Sequence, residues 1–131
     1  MKFHYQQRHG RYLPIIPVKL KSIGGDWITF DAFVDSGASY SIFTAEIGEV
    51  LELEIEIGKK IYVTVGDGSL IMIFLHEIDV KLGKESFKAT IGFSKQLGIG
   101  FNIIGRKDFF ERFKVCFSER ERIVEFLGID G

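Results

Sequence analysis

The chain has 131 residues, of which 46% are hydrophobic and 13 are phenylalanine, so it fits one globular domain with a packed core rather than a disordered chain. The formal net charge of −1 gives no electrostatic reason to expect nucleic acid or anionic lipid as a partner. The single cysteine, Cys116, excludes an internal disulfide; because it lies in an apolar run, we expect a small buried side chain there.

Residues 1–13 are polar and basic and show no secretory signal pattern. His4 and His9 have no third metal-ligating residue nearby, so a metal site is not expected. The longest apolar run, residues 70–75, is too short to cross a membrane. The sequence therefore predicts a flexible or partner-docking arm at residues 1–13, and a cytoplasmic protein without a membrane partner.

A β-hairpin is predicted from Pro14 onwards. Ile16, Val18 and Leu20 alternate with polar or charged residues, which is typical of a strand with one buried face. Residues 22–26 contain two adjacent glycines that permit a tight turn, and residues 27–34 form the return strand. This hairpin leads directly into Asp35.

The stretch Asp35-Ser36-Gly37-Ala38 interrupts an apolar strand, which resumes at residues 41–43. Asp and Gly are turn formers that strands usually avoid. The apolar flanks keep this turn near the interior, so a carboxylate is held at a partly buried bend with Ser36 and backbone N–H groups within reach. Taken alone, the tripeptide is weak evidence of a functional site, because most such tripeptides are ordinary turns.

Thr44 is expected to cap a short helical turn that ends near residue 51, and residues 52–57 alternate as a strand with an acidic face. Residues 61–75 then predict a long hairpin with Gly66-Asp67-Gly68 at its tip. Its second arm is apolar on both faces, which fits either a flap over a ligand or a hairpin whose arm is central in a sheet.

The last third of the chain continues the strand pattern without a linker or repeat. Predicted here are strands at 76–82, 86–93 and 101–104, a loop at 97–100, a helix at 107–112, and a hairpin of strands 113–117 and 122–127. The whole is one compact, mostly β domain.

Three of these features occur together in one order: the Asp-Ser-Gly-Ala turn, the Gly-tipped hairpin, and the late apolar pair Ile103-Ile104 followed by Gly105-Arg106. In this respect the chain resembles the retropepsin-type aspartic proteases, in their cellular, prokaryotic or mobile-element branch. The resemblance extends over most of residues 14–127. It implies an all-β, closed barrel of the acid-protease type with one short helix near the C-terminus, at residues 14–131, as the single-domain protomer of a homodimer.

The resemblance also implies roles for individual residues. Asp35 would activate water, and Ser36 and Gly37 would support the catalytic loop. The residues that would contact the peptide or protein substrate are Ala38, Val65, Gly66, Asp67, Gly68 and Ser69. No metal and no cofactor are expected.

Peptide hydrolysis by carboxylates requires two of them to share one proton. The sequence contains one Asp-Ser-Gly, and its other aspartates lie in no such motif. If the chain is a peptidase, the second carboxylate must be Asp35 of a second copy, so a symmetric homodimer follows from the chemistry.

Two departures from the retroviral pattern stand out. Retroviral members usually carry an acidic residue four positions after the catalytic Asp, paired with the Arg of the late Gly-Arg; here that position is Ser39, so Arg106 needs another partner. The chain also continues well beyond Gly105, which makes the hairpin at residues 113–127 our candidate for the dimer interface.

Three hypotheses follow. The first is a homodimeric aspartic endopeptidase that cuts extended peptides with hydrophobic side chains beside the bond. The alternative is a catalytically silent dimeric peptide-binding domain of the same fold. The third is a small monomeric β-barrel interaction module in which Asp-Ser-Gly is only a turn.

Overall fold

The computed structural model describes residues 1–97 and 100–128, and strands form most of this part of the chain. The strands are β1 (Lys2–His4), β2 (Gln6–Arg8), β3 (Arg11–Leu13), β4 (Ile15–Lys21), β5 (Trp27–Val34), β6 (Ser41–Thr44), β7 (Lys59–Thr64), β8 (Leu70–Leu82), β9 (Glu85–Ser94), β10 (Asn102–Ile104), β11 (Phe113–Ser118) and β12 (Ile123–Gly128). Helical structure in the described residues comprises α1 (Ala45–Val50), a 3₁₀ turn at Ile55–Ile57 and an irregular turn at Arg106–Phe110. The mostly β class is confirmed.

A seven-stranded sheet in the order β4-β5-β10-β6-β9-β8-β7 forms the body of the domain. β4 pairs in addition with β8, where Lys19 lies opposite Lys81 and Leu20 opposite Val80. β10 is parallel to β5 and antiparallel to β6, so a strand from late in the chain lies between the two strands that flank Asp35. A second sheet has the order β1-β12-β11, and β2 pairs with β3.

The predicted first hairpin is confirmed. Ile16, Val18 and Leu20 of β4 are buried, whereas Pro17 between them is exposed, because successive side chains of a strand point to opposite faces. β4 pairs with β5 along its whole length. The turn uses Gly25 at a φ of 96°, a conformation that glycine adopts without steric cost.

The Gly-tipped hairpin is also confirmed, since β7 pairs with the first half of β8. The separate strand expected at 76–82 is wrong, because β8 continues without interruption to Leu82. Its buried positions change phase along the way: Ile71 and Ile73 are buried in the hairpin, whereas Ile78 and Val80 are buried in the body of the sheet. One strand therefore contributes to two apolar layers.

Residues 52–57 do not form the predicted strand. Thr44 caps α1 as expected, with its Oγ1 accepting a hydrogen bond from the Ile47 N–H at 3.4 Å, but Glu52 then takes a φ of 65°. The chain continues into the 3₁₀ turn, where Ile55 is buried against Gly48 of α1. Burial of Ile55 on the helix outweighs the alternating pattern of acidic and apolar residues.

The helix predicted at residues 107–112 is wrong as well. The turn at Arg106–Phe110 is broken by Lys107, which is extended, and by Asp108, whose φ is 66°. The Asp108 carboxylate accepts a hydrogen bond of 2.7 Å from the Thr90 N–H, and the buried Phe109 packs edge-on against Phe87. These contacts with β9 replace a regular helical turn, and the α-helix of the described chain is α1, well before the C-terminal region.

The N-terminal segment is ordered in strands, so the expectation of a flexible arm is wrong. β1 pairs with β12, where Phe3 lies opposite Val124, and the Phe3 ring packs edge-on against Phe126 at 5.8 Å between centroids. Tyr5, which follows β1, is buried. The division of the chain into 1–13 and 14–131 and the docking of a partner by the first segment stay predictions.

The predicted strands at 86–93 and 101–104 and the C-terminal hairpin are confirmed as β9, β10 and β11–β12, whereas the predicted loop at 97–100 lies partly outside the described residues. Phe113 and Phe126 of the C-terminal hairpin belong to the main core.

Cys116 is half-buried, which corrects the expectation of a buried thiol. Within the described residues, no helix is long and apolar enough to span a membrane.

The aromatic contacts of Phe126 predict that the C-terminal hairpin is part of the cooperative core. Phe126 is 1% exposed and contacts both Phe3 and Phe113 edge-on. We expect Phe126→Ala to lower the free energy of unfolding by about 3 to 5 kcal/mol, through lost burial and a residual cavity. Phe117 on β11 is 42% exposed, so Phe117→Ala should cost less than about 1 kcal/mol. Urea unfolding at one fixed protein concentration tests this, and equal losses in the two variants would contradict it.

Candidate active site

The Asp35 carboxylate is held at a tight bend at the end of β5. Its Oδ1 accepts a hydrogen bond of 2.9 Å from the Gly37 N–H, and its backbone carbonyl accepts one of 3.2 Å from the Ala38 N–H. The Asp35 N–H donates to the Ile104 carbonyl at 2.9 Å. Such a turn, in which an Asp side chain binds the backbone two residues on, fixes the carboxylate without burying it completely. Asp35 is half-buried.

The end of β10 supports this loop from below. The Arg106 N–H donates to the Ala38 carbonyl at 2.8 Å, and the Lys107 N–H donates to the Ser39 carbonyl at 3.0 Å. Between them and β10 lies Gly105, which is buried. A Cβ at this position would lie 2.6 Å from the Tyr40 carbonyl carbon and 2.8 Å from the Ala38 oxygen, so only glycine allows the two segments to come this close.

Two polar side chains that the sequence interpretation did not single out connect the strands around the loop. The Ser41 hydroxyl is completely buried and accepts the Gly105 N–H at 3.0 Å. The Asn102 side chain donates to the Asp31 carbonyl at 3.0 Å and accepts from the Thr44 N–H at 3.3 Å. A serine and an asparagine at the start of otherwise apolar strands were the available signals, because buried polar groups need hydrogen-bond partners.

The hairpin tip forms a three-residue loop of Gly66, Asp67 and Gly68. The Val65 N–H donates to the Ser69 carbonyl at 2.9 Å, and Gly68 has a φ of 86°, as is typical of a type I turn followed by a left-handed residue. Asp67 Oδ1 accepts hydrogen bonds from the Ser69 N–H at 2.9 Å and from its hydroxyl at 2.6 Å. The tip therefore has a defined turn even though all three loop residues are exposed.

A cleft of about 790 Å³ separates the Asp35 loop from β7. Its lining residues are Asp35, Gly37, Ala38, Ser39, Tyr40, Ile42, Ile61, Tyr62, Val63, Thr64, Val65, Gly66 and Ile103. Of the residues singled out from the sequence, the cleft thus brings together Asp35, Gly37, Ala38, Val65 and Gly66. The remaining four, Ser36, Asp67, Gly68 and Ser69, are exposed and are not in its lining.

The chemistry of the cleft is simple. Asp35 is the only carboxylate among the described residues that line it. Much of the remaining surface is aliphatic, because Ile42 belongs to a small apolar cluster that also includes Ile61, Val63 and Val65. The apolar surface of the cleft can bind an extended apolar chain, and Asp35 can present one carboxylate to that chain.

Arg106 contacts Ser39 itself. Its Nη2 lies 3.4 Å from the Ser39 Oγ, at the position where the retroviral pattern has an acidic residue. A hydroxyl thus stands where a carboxylate would have neutralised the guanidinium charge.

The close approach at Gly105 predicts a large cost for a single methyl group. Gly105→Ala would force a Cβ against backbone atoms on the opposite segment, which cannot move without displacing the Asp35 loop. We expect a loss of about 2 to 3 kcal/mol or more in the free energy of unfolding. Gly66→Ala is the matched control, since open space surrounds that position, and a similar loss in both variants would contradict the prediction. Urea unfolding is the measurement.

The hydrogen bonds at the hairpin tip predict a pH response. The Ser69 hydroxyl, and then its N–H, favour the ionised form of Asp67 and lower its pKa below the ordinary value. These bonds should persist at neutral pH and be lost only as the pH falls through the lowered pKa. Ser69→Ala should raise the Asp67 pKa toward its ordinary value, as measured by NMR titration of the carboxyl carbon. Ser118→Ala is the control, and an unchanged Asp67 pKa in Ser69→Ala would oppose this account.

Known structures support the fold. The chain is similar to a retropepsin-like aspartic protease from Rickettsia conorii, with a TM-score of 0.64 and 17% identity over 96% of this chain and 89% of that chain. It is also similar to EIAV protease complexed with the inhibitor HBY-793, with a TM-score of 0.53 and 19% identity over 77% of this chain and 88% of that chain. No family model matches the sequence, and no curated protein matches it in sequence. The resemblance inferred from the sequence motifs is thereby confirmed at the level of structure, and the chain has the retropepsin-type fold.

Proposed function

We propose that this chain is one protomer of a homodimeric aspartic endopeptidase that hydrolyses peptide bonds in extended, hydrophobic segments. One observation carries the proposal: the Asp35 carboxylate, half-buried and held by the Gly37 N–H, lies in the wall of an apolar cleft beneath a glycine-tipped hairpin. The retropepsin-type fold supports the same activity, because the two similar structures are of aspartic proteases.

The reaction requires a second carboxylate, since two acids within hydrogen-bond distance share one proton and divide the work. The ionised carboxylate accepts a proton from a water molecule while the water oxygen attacks the carbonyl carbon of the peptide bond. The protonated carboxyl group donates a hydrogen bond to the carbonyl oxygen. Transfer of a proton to the leaving nitrogen then breaks the C–N bond. The described cleft lining contains one carboxylate, so a second copy must supply the other, and a two-fold axis passes between the two Asp35 side chains.

This symmetry assigns the exposed part of the loop to the subunit contact. Ser36 is exposed and lies outside the cleft lining, which favours a contact across the axis that locks the two loops together. The C-terminal hairpin stays our candidate for the larger interface: β11 is at the end of the β1-β12-β11 sheet, and an edge strand can pair with another chain. The pairing of β4 with β8 supports the closed barrel.

Substrate would lie between the loop and the hairpin as an added strand. Gly37 and Ala38 would contact its backbone from one side, and Val65 and Gly66 from the other, which their place in the cleft lining supports. Asp67, Gly68 and Ser69 are exposed at the tip, so they would reach the peptide only when the hairpin closes over it. Neither a metal nor a cofactor has a part in this mechanism, and a cytoplasmic location stays a prediction.

The decisive experiment compares wild type with Asp35→Asn on a diverse peptide mixture across about pH 3 to 7, at high protein concentration. We expect a bell-shaped dependence of wild-type cleavage on pH, because one carboxylate must be ionised and the other protonated. Asp35→Asn should be silent. Asp26→Asn, which changes an exposed acid in the first turn, is the matched control and should cleave like wild type.

Mixing the two proteins tests the shared site. With random dimerisation, activity falls with the square of the wild-type fraction, so an equal mixture at constant total protein should retain about one quarter of the activity rather than one half. A linear decrease would contradict a site built from two chains. If wild type is silent yet dimeric by sedimentation and binds peptides, the catalytically silent peptide-binding domain replaces this proposal; a silent monomer leaves only the fold.

A further inference from the structure

The cationic side chain of Arg106 contacts a residue of the cleft lining and has no carboxylate partner in the described part of the chain. Arg106 is exposed, and its guanidinium contacts the neutral Ser39 hydroxyl at 3.4 Å. The adjacent Lys107 differs, because its Nζ lies 3.7 Å from Glu111 and 4.0 Å from Asp108. Within residues 1–97 and 100–128, Lys107 thus has carboxylates nearby, whereas Arg106 has none within ion-pair distance.

The backbone holds Arg106 close to the cleft. The N–H groups of Arg106 and Lys107 donate to the carbonyls of Ala38 and Ser39, and both Ala38 and Ser39 line the cleft. The base of the Arg106 side chain is therefore fixed relative to the Asp35 loop. The contact with Ser39, a residue of the cleft lining, shows that the guanidinium reaches the edge of the Asp35 loop.

The chemistry of the guanidinium identifies its ligand. Its five N–H donors form a planar fork that matches the two oxygens of a carboxylate, and such paired, charge-assisted bonds are stronger than bonds to a neutral hydroxyl. The single contact with the Ser39 Oγ leaves most of these donors available. The serine at position 39 thus keeps the charge of Arg106 open to a ligand.

We propose that Arg106 binds an Asp or Glu side chain of the bound peptide, and so selects substrates with an acidic residue near the cleavage site. The inference rests on the proposed function, because it takes the cleft to hold an extended peptide. Four residue steps separate Asp35 from Ser39, at most about 13 Å, so the acidic residue lies within about four positions of the scissile bond. A symmetric dimer presents one Arg106 on each side, so the preference applies on both sides of the bond.

The test uses pairs of peptides that differ only by Asp against Asn at one position, moved one residue at a time along both sides of the scissile bond. The result is expressed as the ratio of kcat/KM for the two members of a pair, so that a loss of activity affecting both peptides equally cancels. Wild type should prefer the Asp peptide by about fivefold at low salt, with the preference decreasing as salt screens the pair. Arg106→Gln should bring the ratio close to one, and Arg106→Glu should instead favour a Lys peptide.

Ser39→Asp is the matched variant that keeps Arg106 in place. Its carboxylate would replace the hydroxyl 3.4 Å from the guanidinium and pair with it, so the acidic preference should disappear although no cation has been removed. This variant also keeps the proposal testable if Arg106→Gln fails to fold.

Binding separates this inference from the proposed function. Fluorescence anisotropy of the same labelled peptides on Asp35→Asn protein reports the Asp-to-Asn preference without any cleavage. A preference in binding that Arg106→Gln abolishes supports the inference even if the wild-type protein cleaves nothing. Equal ratios in wild type and Arg106→Gln would overturn it. The inference would also be overturned if Arg106→Gln left the Asp-to-Asn ratio unchanged and weakened the dimer in sedimentation. Arg106 would then pair with a carboxylate of the second copy rather than with the peptide.

Discussion

The close contact between Gly105 and the Ala38–Ser41 backbone is the constraint on which the candidate site depends. It is made possible by the missing side chain at position 105 and is held by hydrogen bonds to the Ser41 hydroxyl and the Ala38 carbonyl. A loop that carries an acid toward solvent would otherwise be free to move, since polar turns have few apolar contacts. Here the position of Asp35 is fixed by β10 and the residues that follow it, which come from much later in the chain.

The apolar residues divide into two groups with different tasks. The larger cluster, which includes the aromatic contacts of Phe126, Phe113 and Phe87, forms the main core of the domain. The smaller one, with Ile42 and Ile73 at its centre, lies under the hairpin and has partly exposed members on the cleft side. Because exposed apolar surface in a concave site favours binding, this incomplete cluster is what an extended apolar peptide would complete.

Two charged side chains, Asp35 and Arg106, lie at or next to the cleft. Asp35 provides one acid, which by itself cannot carry out both halves of peptide hydrolysis, and Arg106 provides one cation that its neighbour Ser39 does not neutralise. Among the residues that the structure describes, the cleft lining holds no second acid beside Asp35, and Arg106 has no carboxylate partner. The proposed dimer completes the first and the proposed acidic substrate completes the second, so one cleft would derive its reactivity and its selectivity from different partners.

The sequence by itself determined the local elements: the hairpin of β4 and β5, the glycine-tipped hairpin, the Thr44 cap and the Asp35 turn. These follow from alternating burial and from turn chemistry within a few residues. The tertiary structure decided what distant contacts control. Asp108 bends a predicted helix because it binds the Thr90 N–H, Phe3 orders a predicted arm because it packs on Phe126, and Ile55 forms a turn because it is buried against α1. Ser41 and Gly105 are 64 positions apart, and no local pattern shows that one will hold the other.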